Sequence, residues 1–338
     1  MKKIRAVLLG CGVVGQDVIR NSAKRGVEYI GIFDVNPHIV GTKWEGIPVM
    51  DVSELESFVD NNDFDIAVNT ATAPMERTLK EVKLLLSRGK DVLTSLADIY
   101  VMQVHEPEMF AELDRLGKEN DATFFASGIQ DVFWTALPLA LTGCSVEIEE
   151  IRGTNVALID FFGPGVADEC YVGWDLERFE KASECGELPT NDFLIALYEI
   201  VEKLGLHPVS EKSEIKPLLA GEDLYFETIG RHVKKGQLLG NFVESRIATE
   251  EGIDLVTEFV SKMSEEGDTD LNKWEIKGTP NINIITEHMQ GEITTGSNIV
   301  NRIPDVINAP AGVVSASSME PPFFKHGSLA DFVKDKIS

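Results

Sequence analysis

The chain has 338 residues, which is long enough for two domains with separate hydrophobic cores. Its 43% hydrophobic and 26% charged residues are typical of a folded globular protein and exclude a disordered chain. The net charge of -25, from 31 basic and 56 acidic residues, disfavours a nucleic acid or an anionic membrane as partner, because like charges repel.

The first predicted element is a buried parallel strand over Ile4–Leu9, a near-continuous apolar run. Met1-Lys2-Lys3 lead directly into it, so we expect no signal peptide. No apolar run elsewhere in the sequence reaches the length of a membrane span. We therefore expect a cytoplasmic protein.

A Gly-x-Gly-x-x-Gly loop follows this strand and leads into a helical pattern over about residues 13–24. Gly10 permits a tight turn, Gly12 lets the backbone approach a pyrophosphate, and Gly15 lets the helix pack against the strand. The positive end of the helix would face the phosphates. The residues expected to bind a dinucleotide are Gly10, Cys11, Gly12, Val13, Val14 and Gly15. The alternative is a turn in which the glycines have only a structural role.

A second apolar strand ends at Asp34, where a carboxylate can accept hydrogen bonds from the adenosine ribose hydroxyls. This placement favours NAD as the cofactor. A cation near this strand could bind the 2′-phosphate of NADP, and Lys43 is the nearest permanently charged one after Asp34. NADP is therefore the alternative cofactor.

The predicted strand Ile66–Asn69 is followed by polar and small residues. These are Thr70, Ala71 and Thr72. Since ligands of open α/β sheets bind at the carboxyl ends of the strands, we expect these three residues to contact the nicotinamide side of the cofactor. The alternative is a cap for the next helix, because Pro74 falls near its start.

The next predicted strand, Asp91–Thr94, leads into Ser95–Asp98, where Asp98 is the only acid. Oxidation of an amine requires that a proton leave the ammonium, and a positioned carboxylate suits that task. We therefore expect Asp98 to be the catalytic base. A helix cap or a surface position is the alternative.

A further strand over Thr123–Phe125 ends in the turn Ser127–Trp134. We expect Ile129, Asp131 and Trp134 from this turn to line a substrate pocket, with Asn155 and Tyr171 from the second half of the chain. The alternatives are that Asp131 caps the helix it opens and that Trp134 packs in the core.

Strands and helices alternate up to about residue 125, which predicts an α/β fold with a doubly wound parallel sheet, the Rossmann architecture. The pattern changes near Ser145 to several strands with a few helices, which predicts an α+β domain with a largely antiparallel sheet for the substrate and for dimerisation. We expect domains over 1–144 and 145–297, with 298–338 returning to the first domain and a helix over Asn298–Val314. A cleft between the domains would hold the substrate.

The four cysteines have no C-x-x-C spacing, so we expect free thiols in a reducing compartment. The six histidines are scattered without metal-ligand spacing, and we expect no metal.

Several of these segments together resemble the 2,4-diaminopentanoate dehydrogenases and the native amine dehydrogenases similar to them. The segments are the glycine loop, Thr94–Tyr100, Ser127–Trp134, Lys277–Asn283 and Val300–Gly312. The resemblance covers nearly the whole chain, and the last two segments are its most specific part. It implies a dihydrodipicolinate-reductase-like Rossmann protein, a homodimer, and NAD(P)-dependent interconversion of an amine with a carbonyl compound and ammonia.

The chain departs from this family at one position. Its members usually carry a Glu-Glu pair where this sequence has Ala97-Asp98, and one acid of the pair is the catalytic base. If that base is the first of the pair, Asp98 would act from one position later with a side chain one methylene shorter. The alternatives are therefore a reductase of imines or carbonyl compounds that does not use ammonia, and an NAD-binding regulator that has lost the base.

Overall fold

The structure is a computed structural model that describes residues 3–71, 75–96, 99, 102–190 and 193–334. These residues form two compact units. The first contains the described residues up to Val132 and those from Ile293 onward, and the second is Phe133–Glu292. Both changes of unit fall earlier in the chain than the boundaries expected after residues 144 and 297.

We number strands and helices in chain order. The strands are β1 (Ile4–Leu9), β2 (Val27–Asp34), β3 (Lys43–Trp44), β4 (Ile47–Asp51), β5 (Ile66–Asn69), β6 (Asp91–Thr94), β7 (Thr123–Ala126), β8 (Glu147–Leu158), β9 (Pro208–Leu219), β10 (Leu224–Phe226), β11 (Arg231–Val233), β12 (Leu238–Thr249), β13 (Asp254–Lys262), β14 (Leu271–Thr279), β15 (Ile282–Glu287) and β16 (Gly312–Val314). The helices are α1 (Val13–Ala23), α2 (Leu55–Asn61), α3 (Met75–Ser87), α4 (Met102–His105), α5 (Pro107–Glu119), α6 (Leu137–Thr142), α7 (Pro164–Glu169), α8 (Leu176–Glu184), α9 (Leu194–Leu204) and α10 (Gly291–Asn308).

The described part of the first unit contains an eight-stranded sheet in the order β16-β7-β6-β5-β1-β2-β4-β3. All neighbouring strands are parallel except the hairpin β3–β4. In β1 every residue except Arg5 is buried, as expected where helices cover both faces of a sheet. The predicted doubly wound α/β fold is confirmed. The strand order reverses between β1 and β5, and ligands of such sheets bind beside this switch point.

The second unit contains, in its described residues, a six-stranded sheet in the order β15-β14-β8-β13-β12-β9. Only the pair β8–β13 is parallel, and the other neighbours are antiparallel. Helix α9 packs on β12 and β13. The second sheet-containing domain is therefore confirmed as well.

Two long strands of this sheet, β9 and β12, were not predicted. The inward-facing positions of β12 include Asn241, Ser245 and Thr249, which are buried although they are polar. Strand β9 lies at the edge of the sheet and is mostly exposed. Neither strand therefore shows the alternation of apolar and polar residues on which strand prediction depends.

The last part of the first unit also differs from the prediction. Helix α10 ends at Asn308, and β16 follows it where the sequence predicted a single helix over Asn298–Val314. Gly312 has φ +112°, and a Cβ at this residue would lie 2.4 Å from Asp114 Oδ1. The chain can therefore turn here into a strand, which pairs in parallel with β7.

Candidate functional site

The glycine loop lies at the carboxyl end of β1, and two of its glycines have no room for a side chain. Gly10 has φ +87°, and a Cβ on it would lie 2.5 Å from the backbone nitrogen of Ala71. A Cβ on Gly15 would lie 2.2 Å from the Gly10 carbonyl oxygen. Both positions therefore require glycine for close packing against the β5 end and the loop itself.

Gly12 lies in the opposite situation, because a Cβ on it would meet no atom within 4 Å. It is the N-cap of α1, and no side chain caps the helix there. The neighbouring Val13 is half exposed. Open space beside uncapped N–H groups at the positive end of an eleven-residue helix fits the pyrophosphate of a dinucleotide.

The Asp34 carboxylate lies next to this loop at the end of β2. Its Oδ2 accepts a hydrogen bond from the Cys11 backbone N–H at 2.7 Å, and its Oδ1 accepts from the N–H groups of Val35 at 2.7 Å and Asn36 at 2.8 Å. Burial raises the pKa of the Cys11 thiol, and the negative charge of Asp34 raises it further. The predicted ribose-binding acid and the glycine loop are thus brought together.

Thr70 lies across the switch point from the glycine loop. Its hydroxyl donates to the Gly10 carbonyl oxygen at 2.8 Å, so this side chain holds the loop. The Ala71 N–H donates to Asn69 Oδ1 at 3.0 Å. Thr72, the third residue predicted here, lies outside the described residues.

The predicted base, Asp98, and its neighbour Ala97 also lie outside the described residues. The segment that leads to them continues the sheet: the Ser95 N–H donates to the Asn69 carbonyl at 2.9 Å. The Leu96 N–H donates to Thr94 Oγ1 at 3.2 Å. Ser95 and Leu96 therefore lie at the carboxyl edge of the first sheet.

Asp131 is buried and forms a bidentate ion pair with Arg302 of α10. Arg302 Nε donates to Asp131 Oδ2 at 2.7 Å, and Arg302 Nη2 donates to Oδ1 at 2.8 Å. The Ser127 hydroxyl donates to Oδ2 at 2.9 Å. Both oxygens of the Asp131 carboxylate therefore accept hydrogen bonds from side chains, and the carboxylate does not act as the cap of a helix. Ile129, in the same turn, is half-buried.

Trp134 and Asn155 are brought together within the second unit. The Trp134 indole N–H donates to Asn155 Oδ1 at 3.2 Å, and Asn272 Nδ2 donates to the same oxygen at 3.3 Å. The Trp134 ring packs on Phe193 and Phe259 with centroid distances of 4.8 and 5.4 Å. This is the packing arrangement that the sequence left open as the alternative for Trp134.

Tyr171 belongs to a different cluster of the second unit. Its ring centroid lies 5.0 Å from that of Trp174 and 5.7 Å from that of Phe179. Its φ of +63° is uncommon for a residue other than glycine, asparagine or aspartate. The structure does not group Tyr171 with Trp134 and Asn155.

Three residues at these positions were missed by the sequence analysis: Asn272, Asn298 and Arg302. Asn298 and Arg302 are four positions apart on a helix whose neighbouring residues Ile299 and Ile303 are buried. Polar residues at helical spacing within an apolar stretch were a signal that they face a buried partner.

Within the described residues, no group of three or more His, Cys, Asp or Glu side chains could hold a metal ion. None of the described helices has both the length and the apolar character that crossing a membrane requires.

Two family models match the chain. The model described as the 2,4-diaminopentanoate dehydrogenase C-terminal domain matches residues 133–335, which is more than half of the chain. A model described as the CoA binding domain matches residues 1–95.

Individual relatives match the whole chain or a part of it. The chain is 24% identical to 2,4-diaminopentanoate dehydrogenase of Acetoanaerobium sticklandii over 99% of each protein. It is 38% identical over 69 residues to the redox-sensing transcriptional repressor Rex of Caldanaerobacter subterraneus subsp. tengcongensis, a match that covers 20% of this chain and 31% of the repressor.

Solved structures of dehydrogenases are also similar to this chain. The amine dehydrogenase from Mycobacterium smegmatis matches with a TM-score of 0.91 and 27% identity, over 96% of this chain and 98% of that chain. The myo-inositol 2-dehydrogenase from Lactobacillus plantarum matches with a TM-score of 0.59 and 12% identity, over 91% and 89% of the two chains, and this likeness is one of fold.

Proposed function

Because the chain belongs to the 2,4-diaminopentanoate dehydrogenase C-terminal domain family, we propose that it interconverts an amine or a diamino acid with a carbonyl compound and ammonia. It is an NAD(P)-dependent oxidoreductase that acts on a small molecule. The observation that carries the proposal is the open, uncapped glycine loop at the end of β1, in a chain that is similar along its whole length to a 2,4-diaminopentanoate dehydrogenase.

In the proposed mechanism the protein binds the dinucleotide through the loop and removes one proton from the substrate. A bound nicotinamide ring accepts a hydride in amine oxidation and supplies one in the reverse direction. The Asp98 carboxylate takes the proton from the substrate ammonium, which leaves the nitrogen lone pair free to form the carbon–nitrogen double bond as the hydride leaves carbon. Water then adds to that carbon, and ammonia departs.

The cofactor-binding residues that we propose are the loop Gly10–Gly15, Asp34 and Thr70–Thr72. The uncapped first turn of α1 offers backbone N–H donors to the pyrophosphate, and Gly12 leaves space for the pyrophosphate. For the substrate we propose contacts with Ile129, Trp134, Asn155 and Tyr171.

We propose NAD as the preferred cofactor because the Asp34 carboxylate would repel the 2′-phosphate of NADP. In the variant Asp34→Ser we expect the ratio of kcat/KM for NAD over NADP to fall at least about tenfold, which is about 1.4 kcal/mol. Glu28→Gln, on the same strand but with an exposed side chain, is the control and should leave the ratio unchanged. An unchanged ratio in Asp34→Ser would refute the assignment of Asp34.

The reaction itself is tested with purified protein, NADH and a panel of short ketones and aldehydes, with and without ammonium. We expect oxidation of NADH that depends on ammonium. Asp98→Asn should lower kcat at least about 100-fold, since general base catalysis contributes about 10²–10⁴ to the rate. Asp121→Asn is the matched control, because the exposed Asp121 has φ +52°, a conformation that asparagine also adopts.

One observation favours a second candidate, a reductase of imines or carbonyl compounds that does not use ammonia. The family's acidic pair is replaced by Ala97-Asp98, so the proton-transfer chemistry of the amine reaction has one carboxylate fewer. The same panel separates the two functions: turnover of a carbonyl compound at equal rates with and without ammonium would establish the reductase.

We also propose that the protein is a homodimer, as the family resemblance implies. Light scattering during size-exclusion chromatography should give about twice the chain mass of 37.3 kDa. A mass of one chain at the concentrations used in the assay would contradict this proposal.

A further inference from the structure

Helix α10 touches two parts of the first unit that the proposed reaction must hold in register. The first is the beginning of α1: a Cβ on Gly296 would lie 3.9 Å from the Val14 carbonyl oxygen and 3.8 Å from Asp17 Cβ. The second is the turn Ser127–Asp131, which follows β7 at the carboxyl edge of the sheet. One helix therefore contacts both the proposed phosphate-binding end of α1 and this turn.

Asn298 makes the first link to the turn. Its Nδ2 donates to the Gly128 carbonyl at 2.6 Å and to Ser127 Oγ at 3.1 Å. The Ser127 N–H in turn donates to the Thr94 carbonyl at 2.8 Å, so the turn is tied to the end of β6. From there the chain runs through Ser95 towards Asp98.

Arg302 makes the second link, one helical turn later. Besides its two bonds to Asp131, its Nη1 donates to the Glu320 carbonyl at 2.8 Å, and the residue is only 1% exposed. Asp305, which lies 3.4 Å from Arg302 Nη1, also pairs with the buried Lys325 at 2.9 Å. A buried ion pair adds little net stability over a well-packed apolar pair. The two parallel bonds from Arg302 to Asp131 do fix the relative orientation of the guanidinium and the carboxylate.

We propose that Asn298 and Arg302 are positioning residues that hold the turn Ser127–Asp131, and through it the end of β6, in register with the first turn of α1. This inference rests on the proposed function. Catalysis by hydride transfer depends on the distance between the reacting atoms, and a displacement of about 1 Å can cost about 100-fold in rate. Arg302 acts through Asp131, and Asn298 acts through Ser127 and Gly128.

The test is the variant Arg302→Lys, which keeps the positive charge but loses the pair of parallel N–H···O bonds. We expect kcat to fall at least about tenfold while the Kd for NADH stays within about twofold, because a single ammonium cannot orient the carboxylate as a guanidinium does. Arg25→Lys is the matched control. Arg25 also bonds to α10, through Asn301 at 3.0 Å, but it makes no bond to the turn, so kcat should not change.

A second measurement does not depend on turnover. Hydrogen exchange of the backbone amides of 127–134, followed with NADH bound, should be faster in Arg302→Lys than in the parent, while exchange in α1 stays unchanged. Asn298→Ser should give the same pattern and serves if Arg302→Lys does not fold.

The outcomes separate this inference from the proposed function. If the parent turns over no amine or carbonyl compound but the turn still exchanges faster in the variant, the proposed function fails and the positioning role stands. Unchanged exchange of the turn would overturn the positioning role whatever the substrate. So would a fall in Tm and NADH affinity together with an unchanged kcat, since a merely structural role predicts that result.

Discussion

Two glycines in the two units have opposite surroundings: Gly12 follows β1 of the first sheet, and Gly153 lies within β8 of the second. A Cβ on Gly12 would meet nothing within 4 Å, whereas a Cβ on Gly153 of β8 would lie 2.7 Å from two ring atoms of Trp274. The first glycine leaves space open for a ligand. The second leaves space that another side chain of the protein already fills.

The polar groups around the two glycines differ in the same way. At Gly12 the first turn of α1 has no side-chain cap, so no capping side chain accepts from its backbone donors. Near Gly153, Trp134 and Asn272 both donate to Asn155, and the rings of Trp134, Phe193 and Phe259 pack together. Donors without a side-chain partner beside open space are available to a ligand, whereas the polar groups near Gly153 already have partners within the protein.

The largest expected effect is that of filling the open space. Gly12→Val should weaken NADH binding at least about 100-fold, which is about 2.7 kcal/mol, because the valine side chain would occupy the pyrophosphate position. The Tm should change little, since a Cβ at this position meets no protein atom within 4 Å. Gly221→Val, another glycine with no atom near its Cβ, is the control for binding measured by NADH fluorescence. Equal affinity in both variants would show that the space at Gly12 is not the cofactor site.

A larger side chain in the packed region around Gly153 should lower stability and leave cofactor binding unchanged. Gly153→Ala forces a methyl group against the Trp274 ring and should lower the free energy of unfolding by about 1–3 kcal/mol, as overpacking does. The Kd for NADH should stay unchanged. Urea denaturation measures the first quantity, with Gly165→Ala, where a Cβ meets nothing, as control. A loss of NADH affinity without a loss of stability would reverse the roles that we assign to the two regions.

A smaller effect of opposite sign is expected at Thr257, the cross-strand partner of Gly153. Its hydroxyl is buried and has no hydrogen-bond partner among the described residues. Thr257→Val keeps the shape of the side chain and removes an unpaired polar group. The free energy of unfolding should therefore increase by about 1 kcal/mol. Thr154→Val, which removes a 3.0 Å bond to Glu258, should instead cost stability in the same urea titration. If Thr257→Val destabilises the protein or raises the KM of the substrate, the hydroxyl binds a water molecule or the substrate.

The smallest effect concerns the thiol in the glycine loop. Burial of the thiol is the larger cause of the raised pKa of Cys11, and the negative charge of Asp34 is the smaller one. At pH 8 a smaller fraction of Cys11 is therefore ionised to the thiolate than of a cysteine exposed to water. Iodoacetamide should therefore modify Cys11 more slowly than the exposed Cys144 and Cys185, as peptide mass spectrometry can measure. Asp34→Asn removes the weaker of the two causes and should lower the pKa and raise the rate modestly. Rapid alkylation of Cys11 in the parent protein would contradict the burial of the loop thiol.

Residues close together in the chain determined much of this protein. Short-range patterns carry the glycine loop, the apolar strand before it and Asp34, because a turn, a buried strand and a strand end each depend on residues within a few positions. The doubly wound sheet follows from the regular alternation of such strands with helices. These features were predicted, and the structure places Asp34 and the loop within hydrogen-bond distance of each other.

Only the tertiary structure decided which distant polar side chains are partners. Asp131 and Arg302 are 171 residues apart, and either could have faced water. The inward-facing Asn241 and Ser245 of β12 likewise read as surface positions until the sheet and α9 enclose them. The physical reason is that burying a polar group without a partner costs free energy, and the partner of a buried polar group is defined by the folded chain rather than by sequence spacing.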